Sequence, residues 1–266
     1  MAYGPSFGGT SLSGANGTEI EDIKDEVASK VDFSPYLLRS GRALSNSQTG
    51  GHRIDIEGVT SGANAATART NIQAIGKAFV TGASGVLLVN DDRQIDAVCT
   101  RFSSTFSKGT AMRLYKWRAS LESASPYWEA TSDTTVTEAV DEADANPYSI
   151  SVSNSGDVPV LSTIKVNNTG TVLTNANIKI SNATDGRALL FSTVDLPASD
   201  GFLYDGETGN FRRISGSAYN SGQLVSIDGS AYYLQPGSNS LTFWSDFSGT
   251  WSVEVIHVYR PSFVTL

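Results

Sequence analysis

The chain has one cysteine, two histidines and two methionines in 266 residues. With a single thiol no internal disulfide can form, and Cys99 in Ile95-Asp-Ala-Val-Cys-Thr100 reads as a buried, inert sulfur. The two histidines, His52 and His257, are far apart in sequence, and no Cys/His/Asp/Glu spacing matches a zinc site. A structural role is expected for His257, which lies in an alternating run. Nucleophile elbows, phosphate loops and dinucleotide fingerprints are missing, as is a calcium-loop pattern. Neither a catalytic residue, a metal ligand nor a cofactor is expected, and the chain reads as a non-enzyme. No apolar run approaches the ~20 residues of a membrane helix, so no membrane partner is expected. The first ten residues have neither a basic start nor an apolar core, so synthesis in a cytoplasm is expected.

Basic residues are missing from one long stretch. Residues 119–164 hold eight acids, Glu122, Glu129, Asp133, Glu138, Asp141, Glu142, Asp144 and Asp157, and neither Lys nor Arg. The formal net charge of the whole chain is −8. Such a balance argues against a nucleic-acid binder, which carries a basic stripe. The same stretch reads as a seam between two folding units. It places domains at 1–145 and 146–266, with 131–147 as the exposed join.

What is present is turn-forming and strand-forming text. Gly is abundant, at 25 residues. Thr18 to Ala28 admits two readings. Thr18-x-x-Glu21 has capping-box spacing and Ile20, Ile23 and Val27 recur at helical intervals; a strand running on through Phe33 competes. Residues 39–53 read as a long polar loop. Arg53–Val59 alternates as a strand. Residues 63–80 form the best helix, with Ala68, Ile72, Ile75 and Phe79 on one stripe and Gly82 and Gly85 ending it. Strands follow at 86–89, 95–102 and 111–121, and Pro126-Tyr-Trp128 closes the first unit. In the second unit Ser155-Gly156, Asp185-Gly186, Asp205-Gly206, Asp228-Gly229 and Pro236-Gly237 separate strands at 158–166, 176–180, 188–194, 202–204, 223–227, 231–234, 240–244 and 251–259. That spacing, with no convincing helix, predicts a β-sandwich.

Three stretches carry a resemblance. One is Arg53-Ile-Asp-Ile-Glu-Gly-Val59, then the helix, Gly85–Val89 and the strands ending in Ser125-Pro-Tyr-Trp128. Another is Val152-Ser-Asn-Ser-Gly-Asp-Val-Pro159. The third is Gly222–Asp228 followed by Tyr233-Leu-Gln-Pro-Gly-Ser-Asn239-Ser-Leu-Thr-Phe243. In their order and spacing they resemble the distal tail protein of long-tailed, non-contractile bacteriophages, or of a related tail-like particle. The resemblance implies a mostly β chain, with an N-terminal α+β belt domain that forms a hexameric ring and a C-terminal galectin-like sandwich. It implies a virion protein at the tail tip. Its expected partners are its own copies, the tail tube protein, the baseplate hub or tail-tip protein, and fibres or a receptor-binding protein. The genome would pass through the lumen without specific binding. Residues 18–52 depart from the family's pattern of first strands and arm.

On that reading, strands 86–121 are expected to supply ring contacts. Met112, Leu114, Lys116 and Arg118 share one face; Arg113, Tyr115 and Trp117 share the other. The lumen is expected to be net negative, with Glu19, Asp22, Asp25, Glu26, Asp91 and Asp92 as its candidates. Arg39, Arg42, Arg93 and Lys108 would defeat that reading if they lined it. The alternative function is a carbohydrate-binding module that stacks sugars on Trp244 and Trp251, beside Phe247. These three read first as sandwich core.

Overall fold

A computed structural model describes residues 5–14, 17–35, 42–90, 92–107, 113–215, 218–220 and 226–264, with the backbone alone for 27–35, 42–50, 90, 175, 215, 218–220 and 226. The fold is mostly β, with one helix among the described residues, and it divides into two compact units. The first contains residues 1–131 and takes back 263–266; the second is 132–262.

The first unit is built on one mixed-length antiparallel sheet. Its strands are β1 (Ser6–Phe7), β2 (Thr10–Ser11), β3 (Thr18–Pro35), β4 (Arg42–Ser61), β5 (Ser84–Asn90), β6 (Arg93–Phe106), β7 (Leu114–Glu122) and β8 (Trp128–Glu129). The order across the sheet is β2-β1-β5-β6-β7-β4-β3. Helix α1 (Ala65–Ala78) starts where the Asn64 side chain accepts the Thr67 N–H, one of the four donors a helix start leaves unpaired. Its stripe of Ala68, Ile72 and Ile75, continued by Phe79, is buried as the periodicity predicts. Phe79 is the centre of an aromatic stack with Phe7, Phe102 and Trp117. Cys99 is fully buried and its thiol donates to the Phe79 carbonyl; burial pushes its pKa up.

One sequence reading is decided here and another changes. Of the two readings open for Thr18–Ala28 the strand is the one found, as Thr18–Pro35, and a β-bulge explains the helical spacing. The register against β4 slips between Ile20 and Asp22, so one extra residue sits on β3. Ile20 and Ile23, three apart, therefore both reach the core side, which imitates helical spacing. The expected polar loop at 39–53 is replaced by strand from Arg42 onward, paired with β3; residues 39–41 lie outside the described residues. Among the described residues the polar text of 42–50 has no other neighbour in the sheet, because β7 pairs β4 only over Arg53–Ser61. It needs no apolar alternation.

The second unit has two main antiparallel sheets. One consists of β10 (Tyr148–Asn154), β20 (Gly237–Ser245), β13 (Leu173–Asn182), β14 (Arg187–Leu196) and β18 (Ser226–Gly229) in that order. The other runs β17 (Ala218–Asn220), β16 (Phe211–Ser215), β15 (Asp200–Asp205), β12 (Thr163–Asn168), β21 (Ser252–Tyr259) and β9 (Thr134–Asp141). A short pair, β11 (Val160–Leu161) with β19 (Tyr233–Leu234), completes the unit. Both sheets point alternate residues into one core that includes Val152, Val166, Ile178, Phe191, Phe243 and Val255. The last strand, β22 (Ser262–Phe263), pairs β8, and Phe263 is buried in the first unit's core.

The seam expected at 131–147, with a boundary at 145, falls differently. Residues 134–141 are β9, paired residue for residue along β21. The unit boundary lies before them, at Thr131/Ser132. An edge strand exposes half its positions, so Thr-Thr-Val-Thr-Glu-Ala-Val can be polar and still be strand.

Among the described residues, four buried asparagines hold turns of this unit. Asn154 Nδ2 donates to the carbonyls of Val158 and Leu234, and its Oδ1 accepts the Gly156 N–H. Asn168 repeats the arrangement with Gly170. Asn182 accepts from Thr184 N–H and donates to the Tyr233 carbonyl. Asn239 accepts from Gln235 N–H and donates to the carbonyls of Gln235 and Gly237. These turns substitute side-chain groups for backbone partners that the bends remove. Gly229 sits at φ +96, and a side chain there would also run into the Ala188 carbonyl at 2.2 Å.

Candidate functional site

The first unit shows two contrasting faces of one sheet. Toward the core, β7 buries Trp117, Ala119 and Leu121, with Tyr115 packed against the same cluster. Away from it, β3, β4, β7 and β6 align charged side chains in rows across the strands. Glu26, Arg53 and Glu122 form one row; Lys24, Asp55 and Ser120 the next. Asp22, Glu57, Arg118 and Ser103 form a third, and Glu19, Val59, Lys116 and Thr105 a fourth. Arg118 bridges Asp55 at 3.2 Å and Glu57 at 3.5 Å. The Ser120 hydroxyl, ahead of these guanidinium contacts, holds the Asp55 carboxyl below the usual carboxylate range. A shallow depression on this face is lined by Glu21, Glu57, Ser103, Thr105, Lys116 and Arg118.

These rows correct the argument drawn from residues 86–121. The mixture of apolar and basic groups on β7 needs no protein on both faces. Trp117 and Tyr115 are packed against the unit's own core, and Arg118 is neutralised across the strand by Asp55 and Glu57. Arg113 and Lys116 are exposed, Leu114 is half-buried, and Met112 lies outside the described residues.

The acids expected at a lumen separate into two groups. Glu19, Asp22 and Glu26 share the charged face. Asp25 points the other way, into a buried network. His52 Nδ1 is 2.6 Å from Asp25 Oδ1, His52 Nε2 is 2.9 Å from the Pro126 carbonyl, and Trp128 Nε1 donates to Asp25 Oδ2 at 2.8 Å. Both ring nitrogens of His52 thus lie within hydrogen-bond distance of an oxygen, and both Asp25 oxygens have a partner. Next to it Gly51 admits no side chain at all, since a Cβ would lie 1.5 Å from the Ser123 carbonyl oxygen. The network ties β3, β4 and the 123–128 segment together. Nothing in the sequence joins Asp25, His52 and Trp128 before the register of β3 on β4 is known.

Asp92 pairs with Arg93 at 2.7 Å, and the Arg93 guanidinium lies 3.3 Å from the centre of the Phe263 ring. Asp91, Arg39 and Lys108 lie outside the described residues, and the Arg42 side chain is not described. Among the described residues no group of three or more His, Cys, Asp or Glu could hold a metal ion.

In the second unit the aromatic shelf breaks up. Trp251 is buried, 7% exposed, with its ring edge against Phe247. Trp244 is half-buried on the opposite side of its strand from Phe243, paired with Lys179. The two tryptophans do not form a joint platform, because Trp251 belongs to the core. The buried His257 ring, fully enclosed on β21, meets the Tyr232 hydroxyl at 3.4 Å and burial pushes its pKa down to about 4.

Neither a protein-family model nor a curated protein matches this chain. Among solved structures it matches the crystal structure of the phage SPP1 Dit protein, described as a paradigm of the hub adsorption apparatus in phages that infect Gram-positive bacteria. The superposition covers 99% of this chain and 100% of that one, at a TM-score of 0.70 and 12% sequence identity. The chain shares the Dit fold. Two structures of the phage P2 baseplate in its activated conformation, with Ca and with Sr, also match. Their TM-scores are 0.46 and 0.42, at 7% and 8% identity over 96% and 94% of this chain and 94% and 92% of theirs; likenesses that low bear on nothing further. The end-to-end match with Dit takes in both units.

Proposed function

We propose that this chain is a structural protein of a bacteriophage virion, sited at the distal end of the tail. Its first unit is the belt domain of a homohexameric ring that joins the tail tube to the baseplate hub. The second is a galectin-like sandwich that organises fibres or receptor-binding parts for attachment to the host. The protein performs no catalysis in this role. The observation that carries the reading is the shared fold with Dit along the whole of both chains.

Two features of the first unit support the ring. A cyclic hexamer needs two different faces on each subunit. β3 is an 18-residue strand at one edge of its sheet, paired with β4 alone among the described residues, and the other edge ends in two-residue strands. The edges are thus unlike and fit a head-to-tail contact. The charged rows fit the wall of a DNA conduit, because the four carry six carboxylates against four cations. A net negative wall repels phosphates over a Debye length of ~8 Å. The test is a mass measurement on concentrated protein together with tail extracts. A six-subunit closed particle supports the reading. A protein that stays monomeric at high concentration and in the tail rejects it.

A further inference from the structure

Strand β9 is the outermost strand of its sheet. It pairs with β21 from Thr134 to Asp141 without a register shift. On its other side no strand pairs it among the described residues, so alternate backbone N–H and C=O groups face outward. Proteins ordinarily blunt such an edge with lysine, proline or a bulge. β9 has none of the three, and its one charge on the inward-facing positions is the half-buried carboxylate of Glu138. The side chains on its outer face are small and exposed, Thr135, Thr137 and Ala139, and leave room for a neighbour's side chains. The other candidate edges differ. β3 carries Lys24 and three register shifts, and on β10 the Ser153 carbonyl, in mid-strand, is already taken by the Tyr259 hydroxyl. On β9, among the described residues, only the last N–H, that of Asp141, is taken, by Asp144 Oδ2.

The electrostatic setting selects an occupant. Glu138 lies on β9, and Asp141, Glu142 and Asp144 follow it; no Lys or Arg occurs between 119 and 164. Asp141, Glu142 and Asp144 spend their oxygens on backbone N–H groups and not on cations. The field reaches Tyr148 on β10, the next strand in the chain and a member of the other sheet, where the charge of Glu138 first, then burial, then the charge of Asp144 raise the phenol.

We propose that β9 is a docking edge that accepts, by antiparallel strand addition, an extended segment of another protein with Lys or Arg alternating with apolar residues. Backbone pairing supplies the grip and the acidic surround selects the charge. The proposal depends on β9 alone and stands or falls apart from the ring.

The probe is a capped Lys-Val-Lys-Val-Lys-Val-Lys peptide added to the full chain, with the Glu-for-Lys peptide as control. Backbone amide exchange is read by NMR. Outward amides within Thr134–Asp141 are expected to slow by at least about tenfold with the Lys peptide alone. The effect should weaken as salt rises from about 50 to about 500 mM. Thr137→Lys with Ala139→Lys should abolish it, with exchange elsewhere unchanged; Thr137→Val with Ala139→Val should keep it. Equal slowing by the Glu peptide, slowing mapped to another edge, none on β9, or insensitivity to the Lys pair overturns the proposal. Slowing on β9 that grows with protein concentration alone would assign the edge to a second copy and also overturn it.

Discussion

Acid should unfold the second unit through one buried ring. His257 is enclosed on β21, its neighbours across the sheet are Ile164 and Val136, and its Nε2 has no hydrogen-bond partner among the described residues. A proton added there would be a buried charge with nothing to pair it. Folding therefore lowers the histidine from 6.5 to about 4. The folded value lies below the unfolded one, so the unfolded chain takes the proton first. The stability tied to this group is complete above the unfolded value and is lost as pH falls toward 4. At 1.36 kcal/mol per unit, the interval from pH 7.5 to pH 5 removes about 2 kcal/mol, and the full loss is about 3.4 kcal/mol. Urea unfolding of 5-fluorotryptophan-labelled protein can follow the second unit by the resonance of buried Trp251. His257→Leu, which cannot titrate, is the control. The wild type should lose about 2 kcal/mol more than the variant between those pH values. Equal losses in the two proteins, to within about 0.5 kcal/mol, would refute the reasoning.

Three further outcomes follow from the geometry. Asn239→Ala leaves the Gln235 N–H and two carbonyls without their partner and should destabilise the second unit by about 2–4 kcal/mol in urea. Asn154→Ala should do the same, and neither should move the first unit's transition. Asp25→Asn puts an amide NH2 where one carboxylate oxygen meets His52 Nδ1 or the Trp128 N–H and should cost about 1–3 kcal/mol in the first unit, read from the Trp128 resonance. Asp133→Asn breaks the exposed pair with Arg260, 2.7 Å apart, and should change stability by less than about 1 kcal/mol.

Some of this architecture is legible in the sequence, because period and turn chemistry are local. The stripe of Ala68, Ile72, Ile75 and Phe79 marks α1 and its buried face. Val253, Val255, His257 and Tyr259 alternate as β21 requires. The Asn-x-Gly and Leu-x-Pro-Gly-x-Asn turns that carry the family resemblance have a physical content, since Asn154 and Asn239 staple those bends. What is not legible depends on pairing. The bulge after Ile20 puts helical spacing on a strand. β9 looks like a linker because a wet edge strand tolerates Thr and Glu. The charged rows exist only once Asp22, Glu57 and Arg118 are brought side by side. Asp25 reads as one more surface acid until His52 and Trp128 meet it. The spacing of Trp244 and Trp251 hints at a shared shelf, yet their strands give them different neighbours and only Trp244 reaches the surface.

The central claim is that six copies of this chain form a ring at the far end of a phage tail. A cryo-EM reconstruction of the assembled particle, with the chain traced into its density, tests it most directly. The account predicts a closed ring between tube and hub, with first units inside, sandwiches outside, and Glu19, Asp22, Glu26 and Glu57 facing the lumen. A single copy, a position away from the tail end, or a ring whose inner wall is formed by the second unit would contradict it.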